Sequence, residues 1–350
     1  MTAAEDFRLA VVLPVFNTER DLPECLASIS AQTHRRFVVF AVDDGSSDGS
    51  LSILEAAAKA DPRFRLLKLA RRSGTSAARN AALAQMEAEG GFDAVCFVDS
   101  DDRIREDCFR RCAEALSDDS VDFAVFGWRA FDRSGPERER IRWPEETRLV
   151  DREAALWHFW RPATDADGVR DATVARFIGN KCFRASAIRG LRYDESLARA
   201  EDQRFCMDVL ERVRSGAVVP EMLYEYRLRR SSLSHRDARQ LDDIRLYLNF
   251  WRELKDTASK RVLLALRIVL CHSLWINMLE SVSLRRDPAE SRALRALYRD
   301  VRRSGFPVLK KYRKKFFIYG LGDAFLRHYS RSRAEAHLKR LEALRLHYFD

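Results

Sequence analysis

The chain has 350 residues, 46% of them hydrophobic and 33% charged, with a formal net charge of +9. That apolar content can bury one large core or two ordinary ones, and it excludes a collagen-like, low-complexity or disordered chain. The excess charge is local: residues 241–350 carry +12 and residues 1–240 carry −3, so two parts with different partners are expected.

The first 130 residues alternate short apolar runs with helical patterns. "LAVVLPVF" (9–16) reads as a buried strand, and no basic segment or cleavage-type site around it suggests a signal peptide. "DLPECLASIS" then places Leu22, Cys25, Leu26 and Ile29 at helical spacing, with Asp21 and Glu24 as a capping box. A strand over 36–42, a turn and the helix "SLSILEAAAKA" follow. Next come "FRLLKLA" (64–70), the helix "SAARNAALAQMEAE" (76–89), the strand "DAVCFV", a helix near 105–117 and the strand "VDFAVFGW" (121–128). Strands alternating with helices predict right-handed βαβ units and a mostly parallel sheet covered on both faces. Ligands of such sheets sit beyond the carboxyl ends of the strands. Asn17, Asp43–Asp48 and Asp99–Asp102 fall at those ends.

Residues 130–235 are mixed. "SGPERERIRWPEE" is a polar excursion and "WHFWRPATDADGVRD" reads as a long loop. "VARFIGNKCFRASAI" and "VVPEMLYEYRL" read as further strand and turn. Beyond a boundary near 236 the pattern is almost wholly helical. "VLLALRIVLCHSLWINML" (262–279) carries Arg267 and His272, which marks a buried helix rather than a membrane span. The seven cysteines are scattered, with no C-x-x-C, as expected of reduced thiols in the cytosol, most of them packing residues. Cys108 and Cys112, four apart on a helix, are by themselves a weak zinc signal.

Four polar constellations carry the chemistry. "VDDGSSDGS" (42–50) offers turn and capping residues, and its carboxylates suit a base N–H or ribose hydroxyls. "FVDSDDRI" (97–104) crowds Asp99, Asp101 and Asp102 after a buried strand. Like charges so close raise one another's pKa unless a cation meets them, and oxygen-only donors favour Mg²⁺ or Mn²⁺ with a diphosphate completing the shell. "ARAEDQRF" sets Glu201 and Asp202 at a helix start, where acidic residues also serve as plain caps. Lys181, Arg227, Arg229, Arg230, Ser232 and Ser234 could meet phosphate oxygens or form a solvated basic loop. There is no P-loop, no G-x-G-x-x-G after the first strand, no G-x-S-x-G and no H-E-x-x-H, which removes most support for hydride transfer and P-loop hydrolysis.

In this order, "VVLPVFN", "VDDGSSDGS", "GTSAARNAAL", "FVDSDD" and the later "ED" resemble the family 2 glycosyltransferases over roughly residues 8–235. Asp44 and Asp101 are 57 positions apart, and Asp101 and Asp202 are 101 apart. "GNKCFRAS" and "YEYRLRRSSLS" look like the bacterial members that build capsule or lipopolysaccharide glycans. The resemblance implies a GT-A fold, a Rossmann-like mostly parallel sheet flanked by helices, in a catalytic domain over 1–236 followed by a basic helical region over 237–350. It implies inverting, metal-dependent transfer of one sugar from a nucleotide-diphosphate sugar, UDP-sugar favoured, to a hydroxyl of a glycan or lipid-linked acceptor. Pro14, Phe16 and Asn17 would line the nucleotide pocket and Asp44 would bind the base. Asp101 would meet ribose or metal, Asp101 or Asp102 would hold Mn²⁺ or Mg²⁺, and Asp202 would be the catalytic base.

The chain lacks Q-x-x-R-W, the family's mark of processive polymerases. It carries Arg71 and Arg72 where many members show Asn, and His235 is its candidate third metal ligand. The basic run from Arg302 to Lys315, followed by "FFIYGL", is expected to meet an anionic membrane surface, peripheral on the cytoplasmic face; no reader motif points to nucleic acid. The competing expectations are a catalytically silent, sugar-nucleotide-binding scaffold and a nucleotidyltransferase, the latter lacking its G-x-G-T-R-like loop.

Overall fold

A computed structural model describes residues 3–132, 135–136, 141–142, 146–160, 170–171, 177–197, 199–228, 240–283, 288–303 and 306–307. In chain order the elements are α1 (Ala3–Asp6), β1 (Leu9–Val15), α2 (Leu22–Ser30), β2 (Phe37–Asp43), α3 (Ser50–Ala60), β3 (Phe64–Lys68), α4 (Thr75–Glu89), β4 (Ala94–Phe97), β5 (Arg103–Ile104), α5 (Cys108–Leu116) and β6 (Phe123–Asp132). Then follow β7 (Gly135–Pro136), β8 (Ile141–Arg142), β9 (Arg148–Asp151), α6 (Arg152–Trp160), β10 (Arg170–Asp171), β11 (Lys181–Arg184), α7 (Ala185–Ile188), α8 (Glu201–Leu210) and β12 (Ser215–Arg227). The last three are α9 (Gln240–Leu254), α10 (Lys260–Ser283) and α11 (Pro288–Arg303).

The chain forms two compact units, residues 1–155 with 172–229, and residues 156–171 with 230–350. The first holds the large sheet, in the order β3-β2-β1-β4-β11-β6-β12-β5, with β7 beside β6 and β9 beside β12. β1, β2, β3, β4, β6 and β12 run one way; β5, β7, β9 and β11 run against them. Every residue of β1 and β2 is buried, as a strand covered on both faces requires. Alternate side chains divide between the faces. Leu9, Val11, Leu13, Phe37, Val39, Ala41 and Cys96 share one core with α2, α3 and α5.

The other face carries an aromatic bed. Phe97 meets Phe183, Tyr193 and Phe205 edge-on at 5.7–6.3 Å between centroids, and Tyr193 stacks on Phe205 at 4.2 Å. Burying Phe97 alone contributes about 1.5–3 kcal/mol, and each such ring pair adds about 0.5–1.5 kcal/mol. This bed fixes β4, β11 and the first half of α8 to one another, and with them the strand end at Asp99.

The second unit is helical. Ile244, Leu248, Leu266, Leu270, Leu274, Leu294 and Val301 are buried on α9, α10 and α11. Trp160 meets Phe250 and Tyr247, and Trp251 meets Phe306. Among the described residues no helix is long and apolar enough to cross a membrane.

Two local expectations are corrected. Residues 157–160, read as loop, continue α6: Phe159 and Trp160 are buried, and burial outweighs their modest helix propensity. The capping box at α2 does not form. Asp21 makes no cap hydrogen bond, and Glu24 turns outward to ion pairs with Arg103 and Arg227. The basic run from Lys310 onward, with "FFIYGL", lies outside the described residues.

Candidate active site

The site is built where β1, β2 and β4, adjacent and parallel, end together. The loop after β1 is knitted to the loop after β2. Asn17 has φ +51, a conformation that asparagine tolerates better than most residues. Its N–H donates to Ser46 Oγ at 3.1 Å, and its Oδ1 accepts the Ser47 N–H at 2.8 Å. Phe16 is half-buried, and the Arg72 guanidinium lies 4.3 Å above its ring. Pro14 sits inside the strand, buried and in register with Val42, so it shapes the sheet rather than a pocket wall.

Asp44 is 3% exposed, and both of its oxygens already accept backbone donors: Ser73 N–H at 2.6 Å and Gly74 N–H at 2.8 Å. Asp43 accepts the Ser46 N–H. Gly45 has φ +71, and a Cβ there would stand 2.8 Å from the Arg72 nitrogen, so only glycine lets the two loops pass so closely. Asp44 thus fastens the chain leading into α4.

At the end of β4 the three carboxylates have separate surroundings. Asp102 is 1% exposed: Tyr224 O–H donates to Oδ2 at 2.6 Å and Arg227 N–H to Oδ1 at 2.7 Å. Burial pushes its pKa well above the ordinary carboxylate value, and the charges of Asp101 and Asp99 push it further. Asp101 is half-buried, and its backbone carbonyl accepts Arg227 Nε at 2.7 Å. Asp99 is held by Arg79 Nη2 at 2.9 Å. Tyr224 makes the turn possible twice over, since its Oη also accepts the Asp99 N–H at 3.3 Å. Gly179 presses on that ring; a Cβ there would lie 2.5 Å from Tyr224 Cζ.

Asp202 reaches this cluster through Arg79, on α4. The guanidinium's side chain is 3% exposed and bridges three carboxylates: Asp202 at 2.6 Å, Asp99 at 2.9 Å and Glu201 at 3.2 Å. It lies 5.1 Å from the Tyr193 ring centroid, and its Nε has no hydrogen-bond partner. Asp202 also accepts the Ile178 N–H at 3.2 Å. Burial raises the Asp202 pKa to about 7; Arg79 and the Ile178 N–H pull it down, while Glu201 and Asp99 push it up. Immediately before α8, Ala200 adopts the left-handed conformation at φ +59, which costs about 1–2 kcal/mol and sets the direction in which the first turn points Asp202.

Arg79 therefore joins Asp99 to Asp202 and Glu201, and Tyr224 joins Asp99 to Asp102, while Asn17 and Asp44 fasten the loops that follow β1 and β2. Two basic candidates behave otherwise. Lys181 is 2% exposed and donates inward to Phe177 O and Asn180 Oδ1, and burial lowers its pKa. Arg227 is tied to the Asp101 carbonyl, Asp21 and Glu24. Arg229, Arg230, Ser232, Ser234 and His235 lie outside the described residues. Arg79 and Tyr224 were not among the sequence candidates. The signal for Arg79 was present: it occupies the buried stripe of α4 with Ala78, Ala82, Leu83 and Met86, where an unpaired charge would be costly.

Residues 10–181 match the model of glycosyl transferase family 2. Glycosyltransferase GlyA of Streptococcus pneumoniae is 35% identical over 129 residues, covering 37% of this chain and 18% of that protein. The succinoglycan biosynthesis protein ExoO of Rhizobium meliloti is 30% identical over 230 residues, 64% of this chain and 61% of that one. The chain thus spans less than two thirds of either relative. In three dimensions it is similar to residues 1–349 of TarS from S. aureus in complex with UDP-GlcNAc, with a TM-score of 0.67, 20% identity and coverage of 95% and 92% of the two chains. That likeness is one of fold.

Proposed function

Because the chain belongs to glycosyl transferase family 2, we propose that it moves one sugar from a nucleotide-diphosphate sugar, a UDP-sugar first, to a hydroxyl of a glycan or lipid-linked acceptor, with inversion and with a divalent cation. The observation that carries this reading is the Arg79 bridge. One guanidinium joins Asp99, from the strand end that would face the diphosphate, to Asp202, from the helix that would face the acceptor. The relatives' names support surface-glycan synthesis as the setting, and the UDP-GlcNAc bound by TarS supports the donor class.

The donor set fits a hard ion: all its side-chain donors are carboxylate oxygens, and the negative charges of Asp101 and Asp99 add to burial in raising the Asp102 pKa. Asp101 is the ligand we assign. Asp102, whose oxygens are taken by Tyr224 and Arg227, would hold the turn from beneath. Bound Mn²⁺ or Mg²⁺ would supply charge neutralisation for the departing diphosphate. Phe16 and Asn17 would border the nucleotide, Pro14 would back them from within β1, and the backbone clamp of Asp44 would present the base-binding edge. Asp202, with a proton affinity matched to neutral pH, would take the acceptor hydroxyl's proton as the new bond forms. No enzyme nucleophile is required, since a single displacement inverts the anomeric carbon.

Calorimetric titration of the full chain with UDP, with and without Mn²⁺, tests this reading. Binding that appears with the ion and vanishes with chelator supports it; UDP binding indifferent to the ion, or none, sinks it in favour of a silent scaffold. Placement at the cytoplasmic membrane face remains part of the proposal, resting on the basic C-terminal sequence. Co-sedimentation with anionic but not neutral vesicles is the expected result.

A further inference from the structure

Behind the strand end that carries Asp99–Asp102, on the opposite face of the sheet from Arg79, three elements bring sulfur to one point. Cys96 lies on β4, Cys182 on β11 and Cys112 on α5. Cys96 and Cys182 are directly paired across the antiparallel ladder. The three Sγ atoms all lie within 4.8 Å of one another. Cys108, one turn before Cys112 on α5, is a further buried thiol on the same helix. All four are at most 2% exposed.

Ordinary packing explains a single buried cysteine, which behaves as a small hydrophobe. It gives no reason for three to converge from three separate elements, where alanine and valine would fill the space without a polarisable, ionisable atom. Three or four thiolates are the donor set of a borderline-soft cation. Zn–S bonds of about 2.3 Å put the sulfurs of a tetrahedral site about 3.8 Å apart, so a cluster already within 4.8 Å has little distance to close.

We infer that Cys96, Cys112 and Cys182 form a structural thiolate site for a zinc-class divalent ion. In the metal-free chain burial and the neighbouring thiols hold Cys182 protonated. Binding would displace the thiol protons to solvent and form one metal–sulfur bond for each proton lost; no oxidant or reductant enters. The bound ion would clamp α5 to the β4–β11 pair, three residues before Asp99 on one strand and beside Asn180 and Lys181 on the other. It is separate in place and in ligand chemistry from the carboxylate cluster, and it stands whether or not the proposed sugar transfer is correct.

The test is metal analysis of the full chain from cells grown in zinc- or cobalt-supplemented medium, after chelator has stripped weakly held ions. One zinc per chain, a near-ultraviolet thiolate-to-cobalt charge-transfer band, and a zinc-edge absorption spectrum dominated by sulfur are expected. Cys112→Ala and Cys182→Ala should each weaken binding by about 10²-fold or more, while Cys271→Ala, in the helical unit, should leave it unchanged. Folded wild-type chain without stoichiometric zinc, a shell of nitrogen and oxygen only, or a band that survives in both alanine variants would overturn the inference. The first two readouts need no variant, so a substitution that fails to fold does not shelter it.

Discussion

The two acidic strand ends look alike in sequence and differ in what surrounds them. After β2, Asp43 and Asp44 are surrounded by backbone N–H donors; the carboxylates fasten loops, and their charge is answered by the chain itself. After β4, Asp99, Asp101 and Asp102 crowd four positions, and the charges of the first two act on the third. Asp102 is raised by burial and by its neighbours' charge, and Asp99 leans on an arginine that it shares with two further acids. An aspartate pair at a strand end is a splice in the first case and a demand for positive charge in the second. Hydrogen-bond partners, not spacing, tell them apart.

The comparison is broken most severely at Asp202, the remote partner of the β4 end. Asp202→Asn should lower kcat by about 10²- to 10⁴-fold while donor affinity is kept. In the wild type the proposed base must be unprotonated, so kcat should be flat above about pH 7, where the raised pKa lies, and fall about tenfold for each unit below it. A pH profile unmoved between 5 and 8 would contradict the assignment.

Next in size, Asp101→Ala should weaken Mn²⁺-dependent UDP binding by about 10²-fold, read by calorimetry, with little change in melting temperature. Asp44→Ala should show the opposite balance. It strands the N–H groups of Ser73 and Gly74, costing about 2–3 kcal/mol in denaturant unfolding, and loosens α4 beneath Arg79. If Asp44→Ala proved as stable as wild type, the distinction between the two strand ends would fail.

The smallest effect is expected for Tyr224→Phe. It removes one hydrogen bond to Asp102 and the acceptor for the Asp99 N–H, costing about 1–2 kcal/mol, with metal-dependent binding reduced less than in Asp101→Ala.

Sequence pattern made the strands β1 to β4 and their helices legible, because each side of that half-sheet repeats a simple period. It also placed the acidic clusters at strand carboxyl ends. It marked the stretch holding β11 as strand and turn but not its place: four residues, inserted antiparallel between β4 and β6, are too short to show a period, and their partners lie more than 50 positions away in the chain. Arg79 showed only as a charge on a buried stripe, and its partners were hidden for a related reason. Its pattern is that of a helix face, and its partners lie 20 and 123 positions distant. Pro14 was legible within a buried strand, and Lys181 and Arg227 were legible as charges but not as charges turned inward. The cysteines at 108 and 112 were visible as a helical pair; only the sheet brings 96 and 182 to meet them.

Three acids and one guanidinium make a seesaw of charge at the heart of the first unit. Whatever neutralises Asp99 from the strand side relieves repulsion on Asp202 and frees more of Arg79's field for it, so its hold on a proton slackens. Loading one substrate would then arm the group that serves the other, and an empty enzyme would keep its base partly disarmed. Activation of the proposed base by the donor would follow from electrostatics alone, without any hinge or moving lid.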